Sequence, residues 1–235
     1  VREEGVKRVL ITGASRGIGR AVAERLAAPG RTLLLHGRDN RGLAETARRV
    51  RGRGAASAEL TFDLRAREEV LALAAAAGSE PLTGLVNNAG VTVVKPFAAV
   101  TASEWEDSLA VNVTAPFLLC RALAPAMPRG AAIVNVLSIA ARRGFPGWSA
   151  YCASKFALEG LTRCLREELR GDGVRVVGIY PSATDTPLWE GVAGEWPRDK
   201  MLPPEEVADA VVYALTRPAE VMVDEVSLGH QAGEL

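Results

Sequence analysis

Thr12-Gly13-Ala14-Ser15-Arg16-Gly17-Ile18-Gly19-Arg20 is the stretch on which the fold turns. A short apolar run, Arg8–Thr12, leads into it, and an alanine-rich helical pattern, Gly17–Ala28, leaves it. Glycines allow a tight turn and let backbone N–H groups approach a pyrophosphate closely. The helix that follows adds a dipole favourable to an anion. Strand, glycine-rich turn and helix in that order make a dinucleotide cradle of a pattern that is weak in isolation. The spacing Gly-x-x-x-Gly-x-Gly is one residue longer than the usual fingerprint. No Lys-Ser/Thr pair stands where a P-loop needs it, which argues against a nucleoside triphosphatase.

Outward from this stretch, short β-branched or leucine-rich runs alternate with longer amphipathic ones. Strands are expected at Arg8–Thr12, Thr32–His36, Ala56–Phe62, Gly84–Asn87, Ala132–Leu137, Val174–Tyr180 and Val223–Leu228. Helices are expected at Gly17–Ala28, Arg41–Arg51, Arg65–Ala77, Ala102–Met127, Ser149–Gly171 and Pro204–Thr216. Most strands are continuously apolar, as strands buried on both faces are. The expectation is an α/β, Rossmann-type doubly wound fold: a seven-stranded parallel sheet with helices on both faces. With no linker, repeat or composition break, residues 1–235 read as a single dinucleotide-binding and catalytic domain. Residues 186–203 escape the alternation: they hold Trp189, Trp196 and three prolines between a strand and a helix. A long loop there is expected to be a substrate lid.

Composition excludes other classes. The 28 basic and 28 acidic residues cancel, so no global charge favours nucleic acid or an anionic membrane. No apolar run approaches the ~20 residues of a membrane span, and no signal peptide is evident, so a cytoplasmic setting is expected. Three cysteines without ligand spacing and two histidines give no metal site.

Cofactor choice is read at the end of the second strand, His36-Gly37-Arg38-Asp39. In NAD-binding sheets an acid in this region grips the ribose 2′-OH. Here Gly37 and Arg38 occupy it, and Arg38 with Arg16 can pair with a 2′-phosphate. NADP(H) is therefore expected over NAD(H), with Asp39 the one residue that could reach the ribose instead. His36 is either a border of the adenosine pocket or plain packing.

The chemistry is carried by Tyr151-Cys152-Ala153-Ser154-Lys155, with Ser138 upstream. Positions i and i+4 share one helix face. A lysine ammonium there can stabilise a phenolate and lower the tyrosine pKa from about 10. A serine at the end of the preceding strand could hold a substrate carbonyl against the tyrosine.

Together these residues resemble the short-chain dehydrogenase/reductase superfamily, in its small single-domain branch. The resemblance covers nearly the whole chain. It rests on the run 12–19, Asp63-Leu64, Asn87-Asn88-Ala89-Gly90, Asn112, Ser138, Tyr151 with Lys155, and Pro181 with Thr186. It implies that Gly13, Ser15, Arg16, Gly17, Ile18 and Gly19 form the turn under the pyrophosphate. Asp63 and Leu64 would border the adenine, and Asn88, Ala89 and Gly90 would support the adenosine side. Lys155 would bond the nicotinamide ribose and Thr186 would lie near the carboxamide. Ser138 would hold the carbonyl oxygen, Tyr151 would act as general acid and base, and Asn112 would hold a water in the proton path. Ser182 stands where the family commonly has glycine after Pro181, and Asp185 places a charge near the crevice mouth. The implied activity is interconversion of a small-molecule carbonyl and alcohol, in a homodimer or homotetramer built through the two long helices. Within it, a carrier-protein-linked 3-oxoacyl substrate competes with a small free keto or hydroxy acid. The ending Val223–Gln231, lacking a Gly-Gly segment, leans to the second. A nucleotide-sensing protein on the same fold is the alternative of a different class; such proteins have a broken catalytic set.

Overall fold

Parallel strands need crossover connections, and the chain supplies one helical segment for each. The computed structural model describes residues 6–192 and 194–231. Its strands are β1 (Arg8–Ile11), β2 (Thr32–Gly37), β3 (Ala56–Thr61), β4 (Gly84–Asn87), β5 (Ala132–Val136), β6 (Arg175–Pro181) and β7 (Glu225–Leu228). They form one seven-stranded sheet in the order β3-β2-β1-β4-β5-β6-β7. Every neighbouring pair is parallel. The connecting helices are α1 (Gly17–Leu26), α2 (Asn40–Gly52), α3 (Arg67–Ala77), α4 (Ala102–Leu109), α5 (Ala115–Leu123), α6 (Ser149–Glu168) and α7 (Pro204–Leu215).

Two apolar layers sandwich the sheet. On one face Val22 and Leu26 of α1, Leu43 and Val50 of α2, and Val207 and Val211 of α7 pack on β1, β2 and β5. On the other, Val70 and Leu73 of α3 and Leu118 and Leu119 of α5 pack on Leu10, Leu85 and Ile133. Each such side chain, fully buried, stabilises the fold by about 1.5–3 kcal/mol. Burial on both faces holds for β4, β5 and β6, which are buried at every residue. The two edge strands, β3 and β7, have no buried residue, because each lacks a neighbour on one side.

Ala102–Met127 departs from a regular helix. α4 opens on a capping box, Thr101 with Glu104, which satisfies two backbone N–H groups. A π turn, Ala110–Thr114, then joins it to α5, and a 3-10 turn, Ala124–Ala126, ends the run. By length and composition Ala102–Ala126 could cross a membrane, contrary to the expectation that no run would. Half of that window is buried within the fold, as a core helix would be.

Residues 184–202 leave and return at one place. Thr184 and Leu202 form an isolated parallel bridge. Asp185 N–H donates to Leu202 O at 2.8 Å, and Leu202 N–H donates to Ala183 O at 2.9 Å. Arg198 pairs with Asp185 and donates to Thr186 O at 3.1 Å, so the Asp185 charge at the crevice mouth is already answered. Position 193, within the expected lid, lies outside the described residues.

Candidate active site

The strand order reverses between β1 and β4, and ligands in open α/β sheets bind in the crevice at that point. The glycine-rich turn follows β1, and Asn88-Ala89-Gly90 follows β4. Thr12 staples the two: its Oγ accepts from the N–H groups of Asn88 and Ala89, both at 3.0 Å. The Asn88 amide donates back to Thr12 O at 2.9 Å. Gly13 sits at φ +69°, where a side chain would be strained. A Cβ on Gly19 would stand 2.2 Å from Gly13 O, so only glycine lets α1 start this close to β1. No side chain caps the first turn of α1, whose N–H groups are thereby left to an anion.

Arg16 and Arg38 are both exposed on the rim beside this turn. Asp39 caps α2, its carboxylate accepting from Gly42 N–H at 3.0 Å. That engages the one acid able to compete for the ribose. Arg38 lies 3.7 Å from Asp63. Hydrogen bonds from Arg65 are the chief reason the Asp63 carboxyl is held down to about 2. His36 borders the cavity, its Nε2 3.0 Å from Phe62 O, and burial holds its pKa below the usual value.

One cavity of about 580 Å³ runs from the cradle to the catalytic set. It is lined by every expected site residue except Gly19 and Asn112. Ser138 ends the chain segment leaving β5 and accepts from Ala140 N–H at 3.1 Å. Tyr151 and Lys155 share one face of α6, with the lysine Nζ 5.6 Å from the tyrosine ring centroid. Lys155 is 5% exposed and donates to Val136 O, at the end of β5, at 2.8 Å. Burial pushes the Tyr151 hydroxyl up to about 12, and a hydrogen bond with Ser138 acts against that rise. Burial also brings the Lys155 ammonium down to about 8. In this structure burial dominates both groups, and the ammonium is turned to the Val136 carbonyl.

Asn112 sits in the π turn, buried behind the cavity wall. Its amide accepts from Val91 N–H and donates to Val91 O and to Ser154 Oγ, each at 2.9 Å. Ser154 in turn donates to Tyr151 O at 2.7 Å. Asn112 thus ties the loop after β4 to the backbone of Tyr151. Sequence reasoning missed a second polar chain beneath the site. Asn87 donates to Asn135 at 2.8 Å, and Asn135 donates to Thr162 at 2.9 Å, joining β4, β5 and α6. It also missed Trp148, Phe145 and Leu188 in the cavity wall. The signal for Trp148 was available, three residues before Tyr151 and so on its helix face. Arg142, in the loop after β5, pairs with Glu225 and lies 3.9 Å over the Tyr180 ring.

The family model for short chain dehydrogenases matches residues 7–195. An uncharacterized oxidoreductase of Staphylococcus saprophyticus is 34% identical over 227 residues, covering 94% of this chain and 96% of that protein. A metagenomic short-chain oxidoreductase crystallised with NADP superposes with a TM-score of 0.82 at 32% identity, over 97% of this chain and 98% of the other. A short-chain dehydrogenase from Sphingobium yanoikuyae in complex with NADPH gives 0.83 at 33% identity, over 94% and 87%.

Proposed function

Because the chain belongs to the short chain dehydrogenase family, we propose that it is an NADP(H)-dependent oxidoreductase interconverting a carbonyl and a secondary alcohol by hydride transfer, with Tyr151 as general acid and base. One observation carries this reading. A single cavity joins an uncapped helix N-terminus, flanked by Arg16 and Arg38, to Ser138, Tyr151 and Lys155. The cofactors of the two structural neighbours support the same choice.

The residues fit such a cofactor. The turn from Gly13 to Gly19 would take the pyrophosphate on its free N–H groups. Arg16 and Arg38 would take the 2′-phosphate, Lys155 the nicotinamide ribose, and Thr186 the carboxamide side. Bound there, the nicotinamide supplies the hydride, which no protein side chain can. The rest is proton management by this chain. Ser138 already accepts from Ala140 N–H, so its own proton is available to a substrate carbonyl oxygen. Tyr151, neutral at physiological pH, gives its proton to that oxygen as negative charge develops on it. Lys155, charged below about pH 8, offsets the phenolate left behind. In the reverse direction the phenolate takes the alcohol proton. Asn112 holds Tyr151 in place through Ser154.

The test is Tyr151→Phe, which keeps the ring and removes the proton. Turnover should fall by roughly 10²–10⁴-fold, while NADPH binding, followed by fluorescence, stays within a few-fold of wild type. Full activity in this variant would refute the mechanism.

A further inference from the structure

We infer that the substrate half of the cavity takes an uncharged, bulky apolar ketone, aryl or alicyclic, with its secondary alcohol, and rejects free keto and hydroxy acids. The inference rests on the catalytic reading above and adds the substrate class to it. From the end of β5 onward, the only ionisable side chains lining the cavity among the described residues are Tyr151 and Lys155. Both are committed to the reacting oxygen and the ribose. The rest of the wall is uncharged: Ser182, Thr184 and Thr186 are its polar members beside Ser138, and its largest side chains are aromatic. Trp148 stands edge-on to Tyr151, ring centroids 5.6 Å apart at 67°. Trp189 lies 5.7 Å and Trp196 6.2 Å from Trp148, and the last two are 4.8 Å apart. Phe145 and Leu188 line the cavity beside them.

Three arginines around this wall are engaged elsewhere, and none of the three lines the cavity. Arg198 holds Asp185, and Arg142 holds Glu225. Arg143 stacks 4.6 Å over the Phe145 ring. A carboxylate entering this wall would lose its hydration with no cation to replace it, which is costly. An aryl or alicyclic ring would instead exchange water for indole edges and faces. This reverses the leaning of the sequence toward small free acids. A cationic substrate is disfavoured too, because among the described residues no carboxylate lines this half of the cavity to answer its charge.

The test is a matched series assayed with NADPH: 1-phenylethanone, its para-carboxylate, its para-trimethylammonium analogue, and acetoacetate. The neutral ketone should exceed both acids by about 100-fold in kcat/KM, since a buried unpaired carboxylate must be paid for in the transition state as in the ground state. Trp196→Ala and Phe145→Ala should each lower kcat/KM for 1-phenylethanone about 10-fold more than kcat/KM for acetone. In the NADP-bound protein, 1-phenylethanol should quench tryptophan fluorescence at concentrations where benzoate does not. An acid or the ammonium ketone preferred by the wild-type enzyme would overturn the inference and leave the reductase reading standing. Absence of turnover on all four, with NADPH bound, would instead sink the reductase reading, and preferential benzoate binding would then sink the substrate inference independently.

Discussion

Replacing Lys155 by methionine should alter stability in a way that depends on pH. The amine is 5% exposed, and burial alone accounts for its fall from 10.5 to about 8. Below pH 8 it is charged in both folded and unfolded chains, and the fold carries the full penalty of burying that charge. Between about 8 and 10.5 the folded chain releases its proton first. The unfolded chain then binds more protons, so wild-type stability rises with pH through this window. The gap, 10.5 less about 8, corresponds to about 3 kcal/mol. Methionine has similar length and no proton to lose, so this contribution vanishes in the variant. The stability of Lys155→Met relative to wild type should therefore fall by about 3 kcal/mol from pH 7 to 10.5. Losing the hydrogen bond to Val136 O shifts the variant by about 1–3 kcal/mol at every pH, which changes the offset and not the slope. Tyr151, pushed up to about 12, is present in both proteins and largely cancels. Urea denaturation followed by circular dichroism at pH 7, 8, 9 and 10 measures the difference directly. A difference that stays constant across this range would refute the argument that an uncompensated ammonium is buried behind the tyrosine.

Arg38→Asp removes a cation from the rim and sets a carboxylate where a 2′-phosphate would lie. The preference for NADPH over NADH, as a ratio of kcat/KM, should drop by about 10- to 100-fold, the worth of one charge-assisted hydrogen bond, and an unchanged ratio would refute the assignment. Gly19→Ala drives a methyl group into the Gly13 carbonyl, a backbone atom that cannot step aside. It should lower stability by about 1–3 kcal/mol and weaken NADPH binding, and a variant with wild-type melting temperature and affinity would contradict the close approach. Trp105, Phe117 and Phe156, on α4, α5 and α6, are 41%, 43% and 46% exposed, which favours a homodimer or homotetramer through these helices. Light scattering should give a mass of two or four chains, and a mass of one chain would rule that out.

Much of this molecule is legible from local pattern. Strand runs such as Leu33–Leu35 and Ile133–Val134 are apolar because the sheet centre is covered on both faces, and the parallel order follows from the helices between them. The glycine turn could be read because its conformation is set by its own residues. Ser138, Tyr151 and Lys155 could be read because two share a helix face and the third ends a strand. What stayed hidden depends on partners distant in the chain. Nothing local says that Arg38 meets Asp63 or that Lys155 reaches Val136 O. Asn135 and Thr162 look like an ordinary strand and helix residue until β4, β5 and α6 are brought together. The π turn is invisible for a different reason: Ala110–Thr114 has the residue types of any helix, and the irregularity is imposed by packing.

That π turn has a consequence in genetic terms. Five residues, Ala110–Thr114, occupy a turn that a regular helix closes with fewer, so α4 and α5 amount to one helix carrying a single-codon insertion. Deleting one of those codons other than that of Asn112 would restore an unbroken α-helix. It would also close the wide turn that presents Asn112 to the loop after β4. Asn112 would swing away from Val91 and Ser154, and the link to Tyr151 would be cut. A frame-preserving deletion that leaves a regular helix would thus disconnect the loop after β4 from Tyr151.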